Sequence, residues 1–222
     1  MKTPSMVSFL ITLLLAAAVC IQGQEPVKDT SGNDLKTGQK YFIQPVKTNG
    51  GGLVPAPPID ILHACPLGVV QTLLPFQPGL PVSFSFPDTD VETTVNTNDS
   101  PNIEFQSDIW PFCTEFSKFW KVNDSSSATQ EPPLLIAGTP GKQNSGFKIE
   151  NAGEGAGANT YKFTTFIGPV GTKSGFFNAP ALVLTNDKAK QLVVKFKKVD
   201  DATSATTSTS PVDKLGLRMF PF

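Results

Sequence analysis

The only histidine of the chain, His63, stands two residues before Cys65. Histidine near cysteine is the pairing of thiol catalysis, and a histidine nitrogen can also ligate a metal. A thiol nucleophile must be free, however. Of the three cysteines, Cys20 lies in an apolar N-terminal stretch that is expected to be removed, which leaves Cys65 and Cys113. In a secreted chain these are most simply one disulfide, closing a loop of about 48 residues and worth about 4 kcal/mol by the chain-entropy estimate; two buried thiols are the other reading. With the sulfurs joined no nucleophile remains, a single histidine builds no Ser-His-Asp triad, and no cluster has metal-ligand or phosphate-loop spacing. The chain is expected not to be an enzyme. Two sequons, at Asn98 (Asn98-Asp99-Ser100) and Asn123 (Asn123-Asp124-Ser125), offer glycosylation in polar loops, the first followed directly by Pro101.

The residues around Cys65 belong to a peculiar stretch. Gly50 to Gly79 holds six prolines, a run of three glycines and no Lys or Arg. Such punctuation excludes a helix and fits short strands and ordered apolar loops, which are suited to holding something. Strand patterns recur through the chain at Lys40 to Val46, Gly52 to Pro55, Val69 to Leu73, Pro81 to Phe86, Ile103 to Phe105, Phe119 to Val122, Leu134 to Ala137, Phe147 to Glu150, Tyr161 to Phe166, Ala181 to Leu184 and Leu192 to Val199. No apolar 3.6 period persists for three turns, so the fold is an all-β sandwich or barrel. An aromatic followed by a short β run recurs at Tyr41, Trp120 and Tyr161, a faint echo of a threefold β-trefoil. Three loops read as long and mobile: Asp88 to Ser100, Asp124 to Pro132 and Ala152 to Asn159.

Residues 1–23 read as a signal peptide, with Lys2 ahead of an apolar core too short to span a bilayer stably; a membrane anchor is the competing reading. Residues 24–201 form one domain, and 202–222 turn to Ser, Thr and Ala as a disordered tail, possible to remove. Without Lys2 the chain has 17 basic and 19 acidic residues, and its single arginine, Arg218, lies in the tail. Nucleic acid, which needs a basic stripe, is excluded as a partner, and no second segment could make this an integral membrane protein.

KDTSGNDLKTGQKYFIQP, GGGLVPAP, CPLGVVQ, W-P-F-C, F-W-K-V and LVVKFKKV, in this order, resemble the soybean-type Kunitz inhibitors of plants. Within that family, EPVKDTSGN, QTLLPFQPGLPVSF, IWPFC and EFSKFWKV are most similar to the water-soluble chlorophyll proteins of the cabbage family. The resemblance covers about Glu25 to Asp201. It implies a β-trefoil with one disulfide, a second bridge of many inhibitors being absent.

Two activities follow from the resemblance. The loop that family inhibitors present to trypsin falls between Phe84 and Pro101, and here it has four acids and no base. A neutral or acidic side chain leaves the buried carboxylate of trypsin unpaired, which argues against trypsin. Papain-like cysteine proteases make no such demand and are the expected protease partners. The other activity is chlorophyll binding: resemblance assigns the backbone carbonyl of Pro55 to the pigment magnesium, a hard cation that accepts one axial oxygen, and places Ile61, Cys65, Pro66, Leu67, Gly68, Thr72, Gln77 and Trp110 near the ring. Gln77 would donate to ring substituents; Trp110 would stack on the ring or simply pack near the disulfide. His63 is either a rival nitrogen or an exposed loop residue. Family precedent also implies a homotetramer in the pigmented state, formed by a chain travelling the secretory route toward an endoplasmic reticulum body, vacuole or apoplast. Two features depart from the pattern: Ala64 replaces an aromatic, and Pro57-Pro58 lengthens the approach to Cys65.

Overall fold

A computed structural model describes residues 24–46, 50–57, 65–89, 91–108, 113–123, 131–175 and 178–200. The expected signal (1–23) and tail (202–222) lie outside these residues, as do Ile61, His63, Ala64 and Trp110. Twelve strands follow in order: β1 Tyr41–Pro45, β2 Leu53–Ala56, β3 Gly68–Gln71, β4 Val82–Ser85, β5 Asn102–Phe105, β6 Lys121–Val122, β7 Leu134–Leu135, β8 Lys148–Asn151, β9 Tyr161–Thr164, β10 Val170–Ser174, β11 Pro180–Leu184 and β12 Val193–Lys198. No helix among the described residues is long and apolar enough to cross a membrane.

Topology divides the strands into two sets. One sheet runs β5-β4-β1-β12-β9-β8, and backbone bonds from Phe147 to Pro101 (3.0 Å), Ile149 to Asp99 (3.1 Å) and Asn98 to Ile149 (2.7 Å) join its two ends into a barrel. The remaining strands are the hairpins β2-β3, β6-β7 and β10-β11, linked to one another through β3-β7 and β3-β11. A barrel of first and fourth strands capped by three hairpins of second and third strands, repeated three times, is a β-trefoil.

Alternation along the barrel strands explains why they form. Tyr41 and Ile43 of β1, Val82 and Phe84 of β4, and Val194 and Phe196 of β12 are buried, while their neighbours face outward. The interior is aromatic: Trp120 lies 5.4 Å from Phe105 and 5.9 Å from Phe147 by ring centroids, and Phe196 meets Phe84 edge-on at 5.4 Å. Such tilted pairs add to what burial alone supplies.

The structure corrects the sequence reading in three places. β10, with the sequence VGTKS, pairs along its whole length with β11 although its outward residues are polar. The echo of Tyr41, Trp120 and Tyr161 is only partly the threefold repeat: Tyr41 opens β1 and Tyr161 opens β9, both first strands of a module, whereas Trp120 precedes β6, a second strand. The two tyrosines do share a job, since their hydroxyls accept the amides of Lys36 (2.9 Å) and Lys28 (2.7 Å) and so fix the N-terminal segment. Finally, the stretch expected to be mobile from Asp88 is held: Thr37 donates to the carbonyl of Thr93 (2.9 Å), Val95 to Leu35 (2.9 Å) and Thr97 to Glu25 (2.7 Å), and Val95 is fully buried.

Candidate functional site

The first hairpin carries the residues singled out above. β2 and β3 pair antiparallel, with Leu53 opposite Gln71, Val54 opposite Val70, Pro55 opposite Val69 and Ala56 opposite Gly68. Thr72 donates to the carbonyl of Gly52 (2.9 Å), and hydrogen-bonded and non-bonded pairs alternate along such a ladder. Val54-Val70 is therefore a bonded pair and Pro55-Val69 is not. It follows that the carbonyl of Pro55, and the position where its missing N–H would be, both face away from β3, toward an edge with no strand partner among the described residues. An edge position without a donor is where a sheet tolerates proline, and it leaves an oxygen uncommitted to the ladder.

The approach to that strand is built from backbone packed on backbone. Gly51 donates to Thr72 (2.9 Å), Gly52 to Gln77 (2.7 Å), and Gln77 to Leu74 (3.0 Å), while the Thr72 hydroxyl donates to the Leu74 carbonyl (3.3 Å). A Cβ on Gly51 would run into the carbonyls of Leu74 and Gln77, and one on Gly52 into the carbonyl of Pro78. These glycines thus admit the Thr72 to Pro78 loop, and their role is in the fold before any ligand arrives.

The result is a loop whose apolar side chains point into solvent: Leu73 is 54 % exposed, Leu74 46 % and Phe76 78 %. Beside it, Gln44, Pro45, Gly50, Pro75, Phe76, Gln77 and Lys197 line a groove of about 430 Å³. The side chain of Gln77 is exposed and makes no hydrogen bond among the described residues. Of the other expected contacts, Pro66 is half-buried, Gly68 is buried in β3, and Leu67 is fully buried in the core with its carbonyl bonded to Ile136 (2.8 Å), so it supports the turn from inside. Cys65 and Cys113 form the disulfide, with 5.8 Å between Cα atoms. Ile61 and Trp110 lie outside the described residues. Asn98 is exposed in a left-handed conformation (φ 70°), and Asn123 is half-buried at the end of β6.

A second surface lies at the β4-β5 connection. Val91 is 72 % exposed, and Glu92 accepts hydrogen bonds from Gln39 (2.7 Å) and Lys36 (3.0 Å), the first and then the second of which hold its carboxyl below the ordinary value. Thr93 donates its amide to the Thr37 hydroxyl at 2.8 Å. The exposed tip is therefore clamped on both sides, a feature that the loop's polar composition concealed.

Comparison with known proteins places this geometry in context. Residues 27–198 match the Kunitz legume family, described as "Trypsin and protease inhibitor". The chain belongs to this family. It is 63 % identical to Kunitz trypsin inhibitor 2 of Arabidopsis thaliana, over 94 % of this chain and 98 % of that protein. Among solved structures it is similar to the water-soluble chlorophyll protein of Brassica oleracea var. Botrytis with chlorophyll b: 57 % identity, TM-score 0.73, covering 80 % of this chain and 100 % of that one. Soybean trypsin inhibitor superposes with a TM-score of 0.63 at 25 % identity, over 79 % of this chain and all of its own.

Proposed function

We propose that this chain is a water-soluble chlorophyll-binding protein of the plant secretory route. The observation that carries the reading is the carbonyl of Pro55 on the edge of β2 that has no strand partner among the described residues, in a chain 57 % identical to a relative solved with chlorophyll b. Magnesium takes hard oxygen ligands, and a carbonyl outside the ladder would offer it one. Pro55 would hold the metal, Gln77 has a free amide for ring substituents, and Leu73, Leu74 and Phe76 supply apolar surface against a flat macrocycle. The bound pigment supplies visible absorption. An apolar surface of this extent is covered by assembly, which fits a homotetramer around the pigments. The test is to mix residues 24–200 with chlorophyll and follow the red absorption band through size exclusion. A coloured peak at several times the monomer mass is expected; a colourless monomer overturns the reading.

The clamped β4-β5 tip favours a second activity, inhibition of a papain-like cysteine protease. A preordered loop loses little entropy on docking. With no Lys or Arg between Lys47 and Lys118, the tip lacks the cation that trypsin's specificity pocket binds. Titration against papain and trypsin separates the cases: inhibition of papain alone is expected, and inhibition of trypsin at equal potency would refute the charge argument.

A further inference from the structure

Seven large apolar side chains are substantially exposed among the described residues; three of them, Leu73, Leu74 and Phe76, stand on the loop after β3, a fourth, Val46, directly follows β1, and Phe76 lines the groove beside β2. They cannot fold inward. The turn from Leu74 to Gln77 is closed by its own 3.0 Å bond and tied to Gly52 at 2.7 Å, so Leu73, Leu74 and Phe76 stand out as a fixed apolar prow.

The neighbouring surface is cationic. On β12, Lys195 and Lys197 lie opposite Gln44 and Phe42 of β1 and alternate with buried Val194 and Phe196, so both lysines face outward, and Lys197 lines the groove with Phe76. Neither lysine has an acidic partner among the described residues, although six other lysines do. The segments that build this surface, 41–46, 50–57, 65–86 and 191–199, contain no Asp or Glu.

We propose that the pigment-free protein docks on an anionic lipid bilayer through this prow, with Leu73, Leu74 and Phe76 entering the interface and Lys195 and Lys197 meeting the headgroups. A protein partner argues less well for this surface, since protein–protein interfaces are depleted in lysine. Here the described segments of this surface carry lysines and no carboxylate, and a convex apolar turn flanked by lysines is the chemistry of interfacial membrane binding. The surface does not depend on whether pigment binds. Where it does, docking supplies a route by which a soluble protein reaches a ligand dissolved in lipid.

The test uses residues 24–200. Every described element lies within this span, and the solved chlorophyll-protein relative is matched over its full length by 80 % of this chain, so the unit folds without its flanks. Pigment-free vesicles of phosphatidylcholine, alone or with roughly a third phosphatidylglycerol, are sedimented with the protein at low and high salt. Binding to the anionic vesicles is expected, with about a fivefold loss for each of Lys195→Gln and Lys197→Gln. Leu74→Ser with Phe76→Ser should reduce binding by at least about tenfold, and because both side chains are exposed, the melting temperature of that variant should stay near wild type. Equal binding to neutral vesicles, no binding, or unchanged binding by the serine variant overturns the proposal. So does sedimentation velocity in which the wild type is an oligomer that the serine substitutions dissociate, since the occupant of the prow would then be a second copy.

Discussion

At the residue scale, what matters is which atom of a side chain or backbone does the work. Pro55 contributes a carbonyl, which every residue has, so Pro55→Ala should retain pigment binding within a few-fold. Gln77→Ala, which removes an amide uncommitted to the fold, should weaken it several-fold; absorption titration decides, and a collapse with Pro55→Ala would show that the ring of the proline matters more than its oxygen. Substituting Gly51 and Gly52 discriminates nothing, because their hydrogens are packed against the Thr72 to Pro78 backbone. Two glutamates should titrate with opposite sign. Glu92 is held below its ordinary value by Gln39 and Lys36, so its contribution is present above about pH 4 and is lost as pH falls through the folded value. Burial raises Glu104, with the Gln106 bond and Lys118 opposing, so Glu104 lowers stability as pH rises past the unfolded value. Urea unfolding of Glu92→Gln should therefore fall below wild type at pH 7, that of Glu104→Gln should rise above it, and both should converge on wild type near pH 3.

At the element scale, strands that bury one face were legible and strands that do not were hidden. β1, β4 and β12 alternate apolar and polar residues and were found within a residue or two, because the period of two is the physical cause of both the pattern and the strand. β10 was missed: Gly171, Thr172, Lys173 and Ser174 resemble a turn, and only the five-residue register with β11 makes them a strand. The clamp on Glu92 was equally invisible, since its partners Lys36 and Gln39 lie more than fifty residues earlier. Long-range pairing is a tertiary fact that no local composition encodes. The same holds for Trp120. Its indole is fully buried between Phe105, Phe147 and Phe163, yet its N–H finds no partner among the described residues. Trp120→Ala should cost about 3–5 kcal/mol, while Trp120→Phe should cost clearly less, because it also removes a buried unpaired donor. Thermal unfolding of the two variants measures the difference.

At the scale of the whole molecule, the three modules have unequal duties. The barrel is continuous around all three, as the bonds from β8 to the residues before β5 require. The glycine run and the proline-rich turn belong to the first hairpin and the loop after it, and the groove they border is completed by Gln44 and Pro45 of β1 and Lys197 of β12. The clamped tip around Val91 and Glu92 belongs to the β4-β5 connection. Because the two surfaces are built from different loops of one scaffold, a ligand on one need not compete with a ligand on the other. The resemblance of motifs foretold the family and the trefoil; it could not foretell the glycines' structural employment or the solvent-facing attitude of Phe76, which depend on how the Thr72 to Pro78 loop folds back on β2.

The edge of β2 at Pro55, which has no strand partner among the described residues, matters in one more way. A bare strand edge is a template on which another chain can add itself, and repeated addition is the beginning of a fibril. At Pro55 the edge offers an acceptor without the matching donor, and Pro57 follows two residues later. A foreign strand arriving there would find every second rung broken. The residue that leaves its oxygen exposed thus also denies this edge the unbroken ladder that growth of sheet upon sheet requires.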